Sequence, residues 1–100
     1  MDLMENKDSQ EWLARLDAVK GRYEIATDAE LARCLDISKQ RLQQLRTGIG
    51  KKIPIEVKFQ IWNLEGMTDI TDRIWDLLPT EKALMFIKRR HELLKRLRDF

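Results

Sequence analysis

The sequence has little glycine, proline and cysteine, and it contains no long apolar run. Four Gly and two Pro in 100 residues supply few turn residues, which argues against a turn-rich all-β architecture. The single cysteine, Cys34, excludes an internal disulfide, and with the single histidine, His91, it cannot supply the ligand set of a structural zinc site. No apolar segment approaches the roughly 20 residues of a membrane span, and the polar start of the chain shows no signal-peptide pattern. We therefore expect a cytoplasmic protein without a disulfide, a metal or a membrane segment.

Charged residues and residues that favour helix make up much of the sequence. Charged residues account for 36% of the chain and apolar residues for 43%, a composition typical of soluble globular proteins. Leu, Arg, Lys and Glu are frequent, and all four favour helix. The expected fold class is all-α: one compact domain of about five to six helices, read from the apolar periodicity, with a long C-terminal helix.

Basic charge is concentrated in two segments. Residues 39–58 and residues 88–98 each carry six Lys or Arg and one Glu, a net charge of +5, whereas residues 1–38 have a net charge of −4. A basic cluster in an otherwise balanced chain is the electrostatic footprint that a polyanion requires. A solvated helix face is the alternative, and we favour it over DNA contact for residues 88–98.

Capping residues predict the first three helices. A capping box at residues 8–11 predicts a helix that continues to about residue 20, where Gly21 supplies the stop. A second box at residues 27–30 opens a short helix of two turns. Ser38 then caps a third helix, which runs from residue 39 to about residue 47.

Three further helical segments follow. Pro54 suits the first turn of a fourth helix, and Glu65-Gly66 interrupts it. A fifth segment opens at residue 68 or 69. A long last helix begins after Pro79, at Thr80, and runs to about residue 98.

The helix that Ser38 opens has an exposed face suited to reading DNA. At about 100° per residue, Leu42 and Leu45 share the inner side. The opposite side is rich in amides and hydroxyls: Gln40, Gln43, Gln44 and Thr47, with Lys39 near its start. Gln pairs bidentately with adenine in the major groove, and Lys donates to guanine or phosphate. A neutral solvated face is the alternative interpretation.

Two short helices, a tight turn and a glycine-containing loop make a helix-turn-helix arrangement. The segment TDAELARCLDISKQRLQQLRTG at residues 27–48, followed by Ile53-Pro54, resembles the phage-repressor-like helix-turn-helix family of lambda-type repressors and Cro proteins. The matching positions are a small residue, a turn aliphatic, two apolar residues and a glycine: Ala32, Ile37, Leu42, Leu45 and Gly48. The resemblance covers roughly residues 10–65. It implies a lambda-repressor-like core at residues 1–66, with residues 67–100 as a helical extension of the same domain.

The resemblance also implies roles for individual residues. The base-contacting positions correspond to Lys39, Gln40 and Gln44. Contacts to the DNA backbone or to neighbouring groups correspond to Thr27, Ser38, Arg41, Gln43, Thr47, Lys51 and Lys52. Two positions depart from the family pattern. Asp36 stands where a left-handed Gly is common, and Asp28 stands where a phosphate-contacting Gln is common, so we exclude Asp28 from the site.

The last helix is expected to form a dimer interface. An apolar stripe connects Leu84, Ile87, Leu94 and Leu97, and His91 fills one step of it. Lambda-type domains generally pair through elements after their fourth helix, and two-fold pairing sets two recognition helices about 34 Å apart. Packing of this helix against its own domain is the alternative.

These features predict a sequence-specific double-stranded DNA-binding transcriptional regulator. The resemblance indicates a phage or prophage repressor that binds operator DNA as a homodimer through residues 38–47. The sequence contains no catalytic triad, metal cluster or cofactor fingerprint, so we expect neither an enzyme nor a cofactor. The alternatives are a DNA-binding antitoxin or accessory regulator whose C-terminal helix binds a protein partner, and an interaction module that does not bind DNA.

Overall fold

The computed structural model describes residues 3–47 and 53–98, with side chains from Gln10 onward. All regular structure in these ranges is helical: α1 (Leu3–Arg22), α2 (Asp28–Cys34), α3 (Lys39–Thr47), α4 (Ile55–Leu64), α5 (Thr68–Arg73) and α6 (Thr80–Arg98), with a 3₁₀ turn at Trp75–Leu77. The predicted all-α class and its long C-terminal helix are confirmed. None of the helices in the described ranges is long and apolar enough to cross a membrane.

The first helix is longer than the sequence predicted at both ends. Residues 8–11 lie inside α1 and do not cap it, because the preceding turn contains strong helix formers and neither Gly nor Pro. Gly21 is not the stop either. The left-handed residue is Glu24 (φ 54°), and the Ile25 N–H donates to the Lys20 carbonyl at 2.9 Å, which closes a Schellman motif.

The predicted caps around α2 and α3 are confirmed. Thr27 Oγ1 accepts a hydrogen bond from the Glu30 N–H at 3.2 Å, and Ser38 Oγ accepts one from the Arg41 N–H at 3.0 Å. Asp36 takes the left-handed conformation expected at its position, with φ 57°. At the α2 end of the turn the Ile37 N–H donates to the Ala32 carbonyl at 3.0 Å, and at the α3 end Ser38 supplies the cap, so hydrogen bonds fix both ends.

The fourth and fifth segments differ slightly from the prediction. Pro54 is the N-cap of α4 and not a member of its first turn, because its ψ of 149° is extended. Gly66 ends the helix as predicted, with a φ of +80° that favours glycine. The fifth segment consists of a short α5 followed by the 3₁₀ turn.

Two apolar clusters form the interior, and α4 contributes to both. The larger core joins α1, α2, α3 and α4 with Leu93 of α6, and it includes Tyr23, Leu31 and Leu42, each fully buried. The aromatic core joins α4 to α6 through Phe59 and Phe86, whose ring centroids lie 6.1 Å apart. Side chains on α4 thus hold the helix-turn-helix and the C-terminal helix in one arrangement.

A chain of buried amides connects these cores. Gln60 Nε2 donates to the Cys34 carbonyl at 2.8 Å, which links α4 to α2. Asn63 Nδ2 donates to Gln60 Oε1 at 2.9 Å and to the Phe86 carbonyl at 3.0 Å, which links α4 to α6. Both side chains are buried, so an unpaired amide there would cost about 1–3 kcal/mol.

The stripe predicted on α6 is not one continuous surface. Leu94 and Leu97 pack against the chain's own larger core, as the packing alternative proposed, while Leu84 is 54% exposed. His91, which we expected to fill a step of the apolar stripe, is exposed. The reason is helix rotation: the buried face is centred on Phe86 and Leu93, so the predicted stripe lies along one edge of that face.

Candidate nucleic-acid interface

The exposed face of α3 has the composition that the sequence predicted. Leu42 and Leu45 point inward and are buried. The four side chains expected on the outer face are all exposed, and so is Lys39 near the start of the helix. We call the four residues Gln40, Gln43, Gln44 and Thr47 the glutamine face. Arg41, predicted as a neighbouring contact, is half-buried beside it.

The three hydroxyl groups among the predicted contact residues already form local hydrogen bonds. The exposed Thr27 and Ser38 oxygens accept their capping bonds, which leaves each hydroxyl hydrogen for another acceptor. Thr47 differs, because its Oγ1 donates to the Gln44 carbonyl at 2.8 Å. An external contact from Thr47 would therefore use the oxygen as an acceptor.

Two predicted contact residues cannot be placed. Lys51 and Lys52 lie outside the described residues, as does Gly48 of the resembling segment. Lys39 and Arg41 form no ion pair within the described part of the chain, so their charges are not neutralised by a nearby carboxylate there. These two cations adjoin the glutamine face.

Arg46 also belongs to the first basic segment, yet it is held inside the protein. Its guanidinium donates from Nε and Nη2 to both carboxylate oxygens of Asp28, at 3.1 and 3.0 Å. Its Nη1 donates to Asp17 Oδ1 at 2.9 Å, and Lys20 Nζ donates to Asp28 Oδ1 at 3.0 Å. We call these four residues the Arg46 cluster. Sequence reasoning missed it because α1 and α2 lie far from Arg46 in the sequence.

The contacts of Lys20 and Arg46 with Asp28 explain how the fold accommodates a carboxylate at position 28. The hydrogen bonds from Lys20, and then from Arg46, lower the pKa of Asp28 below its ordinary value. Its charge is thus offset locally by two cations. The exclusion of Asp28 from the predicted site agrees with this internal role.

The second basic segment faces the other side of α2. Arg96 donates to the Glu30 carboxylate, and Arg89 donates to the Arg33 carbonyl near the end of α2. Asp28 and Glu30 are two residues apart and so project about 200° apart around the helix. Because Asp28 pairs with α3 and Glu30 with α6, these helices lie on opposite sides of α2. The cations of α6 are therefore remote from the glutamine face.

A cleft of about 220 Å³ lies between α2 and α6. Its lining consists of Glu30, Arg33, Cys34, Arg89, Glu92, Leu93 and Arg96. Burial raises the pKa of the Cys34 thiol, which disfavours the reactive thiolate. This cleft is on the α6 side of α2, so it is separate from the glutamine face.

Comparison of the chain with protein-family models, curated proteins and solved structures gave no match. A function must therefore be argued from the residues themselves. Three structural features bear on function: an exposed amide-rich helix face, two cations beside it that form no ion pair among the described residues, and the capped turn that presents it.

Proposed function

We propose that this chain is a sequence-specific double-stranded DNA-binding regulator that inserts α3 into the major groove. The observation that carries the proposal is the glutamine face, where Gln40, Gln43 and Gln44 are exposed together on one side of a capped helix. A solvated face needs no such concentration of amides. The resemblance of residues 27–48 to phage-repressor-like proteins supports the same function.

The chemistry of this face suits base edges. A major groove about 12 Å wide admits an α-helix, and Gln can donate to N7 and accept from N6 of adenine. Gln40 and Gln44 are one turn apart, about 6 Å along the helix, so they would reach base pairs about two steps apart at a rise of about 3.4 Å per step. Lys39 would contact guanine or phosphate at the start of the helix. Affinity independent of sequence would come from Arg41, Lys51, Lys52 and the groups at Thr27 and Ser38.

A dimer would read two half-sites of an operator, about 34 Å apart on the DNA. On α6 the dimer proposal depends most on Leu84, which is exposed, and on Ile87, which is half-buried. Leu94 and Leu97 contribute less, since they already pack on their own core. Binding at a promoter would exclude polymerase, which is the action of a phage or prophage repressor.

The experiment is a selection from random duplex DNA with the purified chain near 0.15 M salt, followed by sequencing of the bound pool. We expect a dyad-symmetric motif with half-sites one helical turn apart. A pool with no enrichment, together with binding that simply weakens as salt rises, would contradict sequence-specific recognition.

A second candidate is a DNA-binding antitoxin or accessory regulator. The observation that favours it is the exposure of Leu77 (62%) and Leu84 (54%), which a protein partner would cover. Co-purification of the chain with the product of a neighbouring gene, lost in Leu84→Lys, would support this candidate over the homodimer. A homodimer alone on the same column would count against it.

A further inference from the structure

Arg46 lies on α3 but not on the glutamine face. If Leu42 is set at 0°, then Arg46 lies at about 40°, whereas Gln40 and Gln44 lie at about 160° and 200°. Arg46 is accordingly half-buried, and its guanidinium reaches inward to α1 and α2. It is therefore placed to hold the helix and not to contact a ligand in front of it.

The contacts of Arg46 are directional. Two parallel N–H groups bind the two oxygens of Asp28, and a third N–H binds Asp17. A bidentate arginine–carboxylate pair restricts rotation as well as distance. The apolar contacts of Leu42 and Leu45 bring α3 close to its neighbours, but hydrophobic attraction has no direction. The Arg46 cluster thus supplies the rotational restraint on α3.

Such a restraint matters for an amide that must reach a base. The Gln amides extend about 6 Å from the helix axis, so a rotation of roughly 10° moves them about 1 Å. A hydrogen bond weakens steeply over that displacement. Small rotations of α3 would therefore weaken base contacts while leaving attraction to phosphate unchanged.

We propose that Arg46 and Asp28 are positioning residues that set the rotation of α3 and thereby its sequence discrimination. This inference rests on the proposed function. Arg46 acts through Gln40 and Gln44 and touches no DNA itself. Asp28 occupies the first residue of α2 for the same purpose, as the acceptor of the guanidinium pair.

The test is Arg46→Lys, which keeps the charge but cannot form the paired N–H contacts. Dissociation constants are measured for the selected DNA site and for a scrambled duplex, at a temperature where circular dichroism shows every variant fully folded. We expect the ratio of the two constants to fall roughly tenfold, with scrambled binding unchanged. Loss of folded protein would lower both affinities equally and leave the ratio as it was. The matched control is Arg73→Lys, an exposed arginine on α5.

A second variant separates positioning from direct phosphate contact. Asp28→Asn removes the negative charge and one of the two acceptor oxygens, which breaks the bidentate pair and frees Lys20, while Arg46 keeps its contact with Asp17. Positioning predicts the same loss of discrimination as Arg46→Lys, with little further loss in the double variant, because both changes break one contact. If Arg46 instead bound phosphate, Arg46→Ala would reduce the slope of log K against log salt by about 0.9 on both duplexes.

The possible outcomes keep the two proposals distinct. A wild-type chain that prefers no sequence would overturn the proposed function and this inference with it. A wild-type chain that discriminates, while Arg46→Lys discriminates equally well, would overturn only the positioning role. A salt slope reduced by about 0.9 in Arg46→Ala would also overturn it and would assign Arg46 to the DNA backbone.

Discussion

The two basic segments carry the same net charge of +5, but the protein uses that charge differently. In residues 39–58, Lys39 and Arg41 remain unpaired beside an exposed amide-rich face, within the part of the chain that the structure describes. In residues 88–98, Arg89 and Arg96 bond to α2 and attach α6 to the domain. Net charge alone therefore does not show whether the cations of a segment face solvent or hold helices together.

Local geometry accounts for the difference. The Arg33 carbonyl in the last turn of α2 accepts from the Asp36 N–H at 3.1 Å, and its second lone pair accepts from Arg89. Glu30 projects toward α6 and accepts from Arg96. Within residues 3–47 and 53–98 no helix covers the outer face of α3, so its polar groups meet solvent.

The largest expected effect tests the glutamine face. Gln40→Ala should cost about 1–3 kcal/mol of binding free energy on the selected site and little on random DNA. Fluorescence anisotropy with both duplexes measures the two values. Gln10→Ala, an exposed glutamine of α1, is the matched control. Equal losses on both duplexes would remove Gln40 from base recognition.

Substitutions in the second basic segment should change the stability of the fold and leave DNA binding unchanged. Arg89→Ala removes the hydrogen bond to the Arg33 carbonyl and should lower the free energy of unfolding by about 1 kcal/mol. In a domain of this size that corresponds to about 4–8 °C in Tm. Lys88→Ala, at the exposed neighbouring position, should change neither property. If fully folded Arg89→Ala bound DNA more weakly than the wild type, residues 88–98 would also contribute to DNA binding. The two basic segments would then not differ in role.

A smaller effect concerns the salt dependence. Lys52→Ala should weaken binding to specific and random DNA alike, and should reduce the slope of log K against log salt by about 0.9. Lys95→Ala, an exposed lysine of α6, should leave that slope unchanged. If Lys95→Ala flattened the slope as much, the second segment would also be a DNA contact.

The smallest effect is expected at acid pH. The pKa of Asp28 is lowered by hydrogen bonds from Lys20 and Arg46, and the pKa of Glu30 is lowered by its hydrogen bond from Arg96. A carboxylate with a lower pKa in the folded state stabilises it above the unfolded value, and this contribution is lost as the pH falls through the folded value. Stability should thus decline as the pH falls below about 4.5, the ordinary value for Glu30.

The loss of folding stability at acid pH can be divided between the carboxylates that pair with each basic segment. Asp28→Asn removes the part that depends on Arg46, and Glu30→Gln removes the part that depends on Arg96. Urea unfolding from pH 3 to pH 6 should show a shallower decline for each variant than for the wild type. An unchanged decline in both would mean that other carboxylates govern acid unfolding.

The sequence predicted local features better than distant ones. Thr27 and Ser38 cap as expected, because a cap depends on residues only three positions away. The outward direction of Gln40 and Gln44 followed from helix periodicity. The start of α1 was wrong, since a capping motif inside good helix formers does not force an end.

Pairings between distant residues could not be read from the sequence. Arg46 counted as one more cation until α1 and α2 were placed beside it. Gln60 and Asn63 would suit an exposed helix face equally well, and only the packing of α4 against α2 and α6 buries them. The face that α6 buries likewise depends on the apolar residues of α4 against which it packs.

The buried amides also bear on how the molecule opens. Separating α6 from α4 would leave Asn63 without its Phe86 acceptor, and the disturbance would reach Cys34 through Gln60. Opening the aromatic core alone is therefore penalised by polar groups that water does not reach. Backbone amides of α2 and of the first half of α6 should consequently exchange with deuterium at similar rates, as members of one cooperative unit.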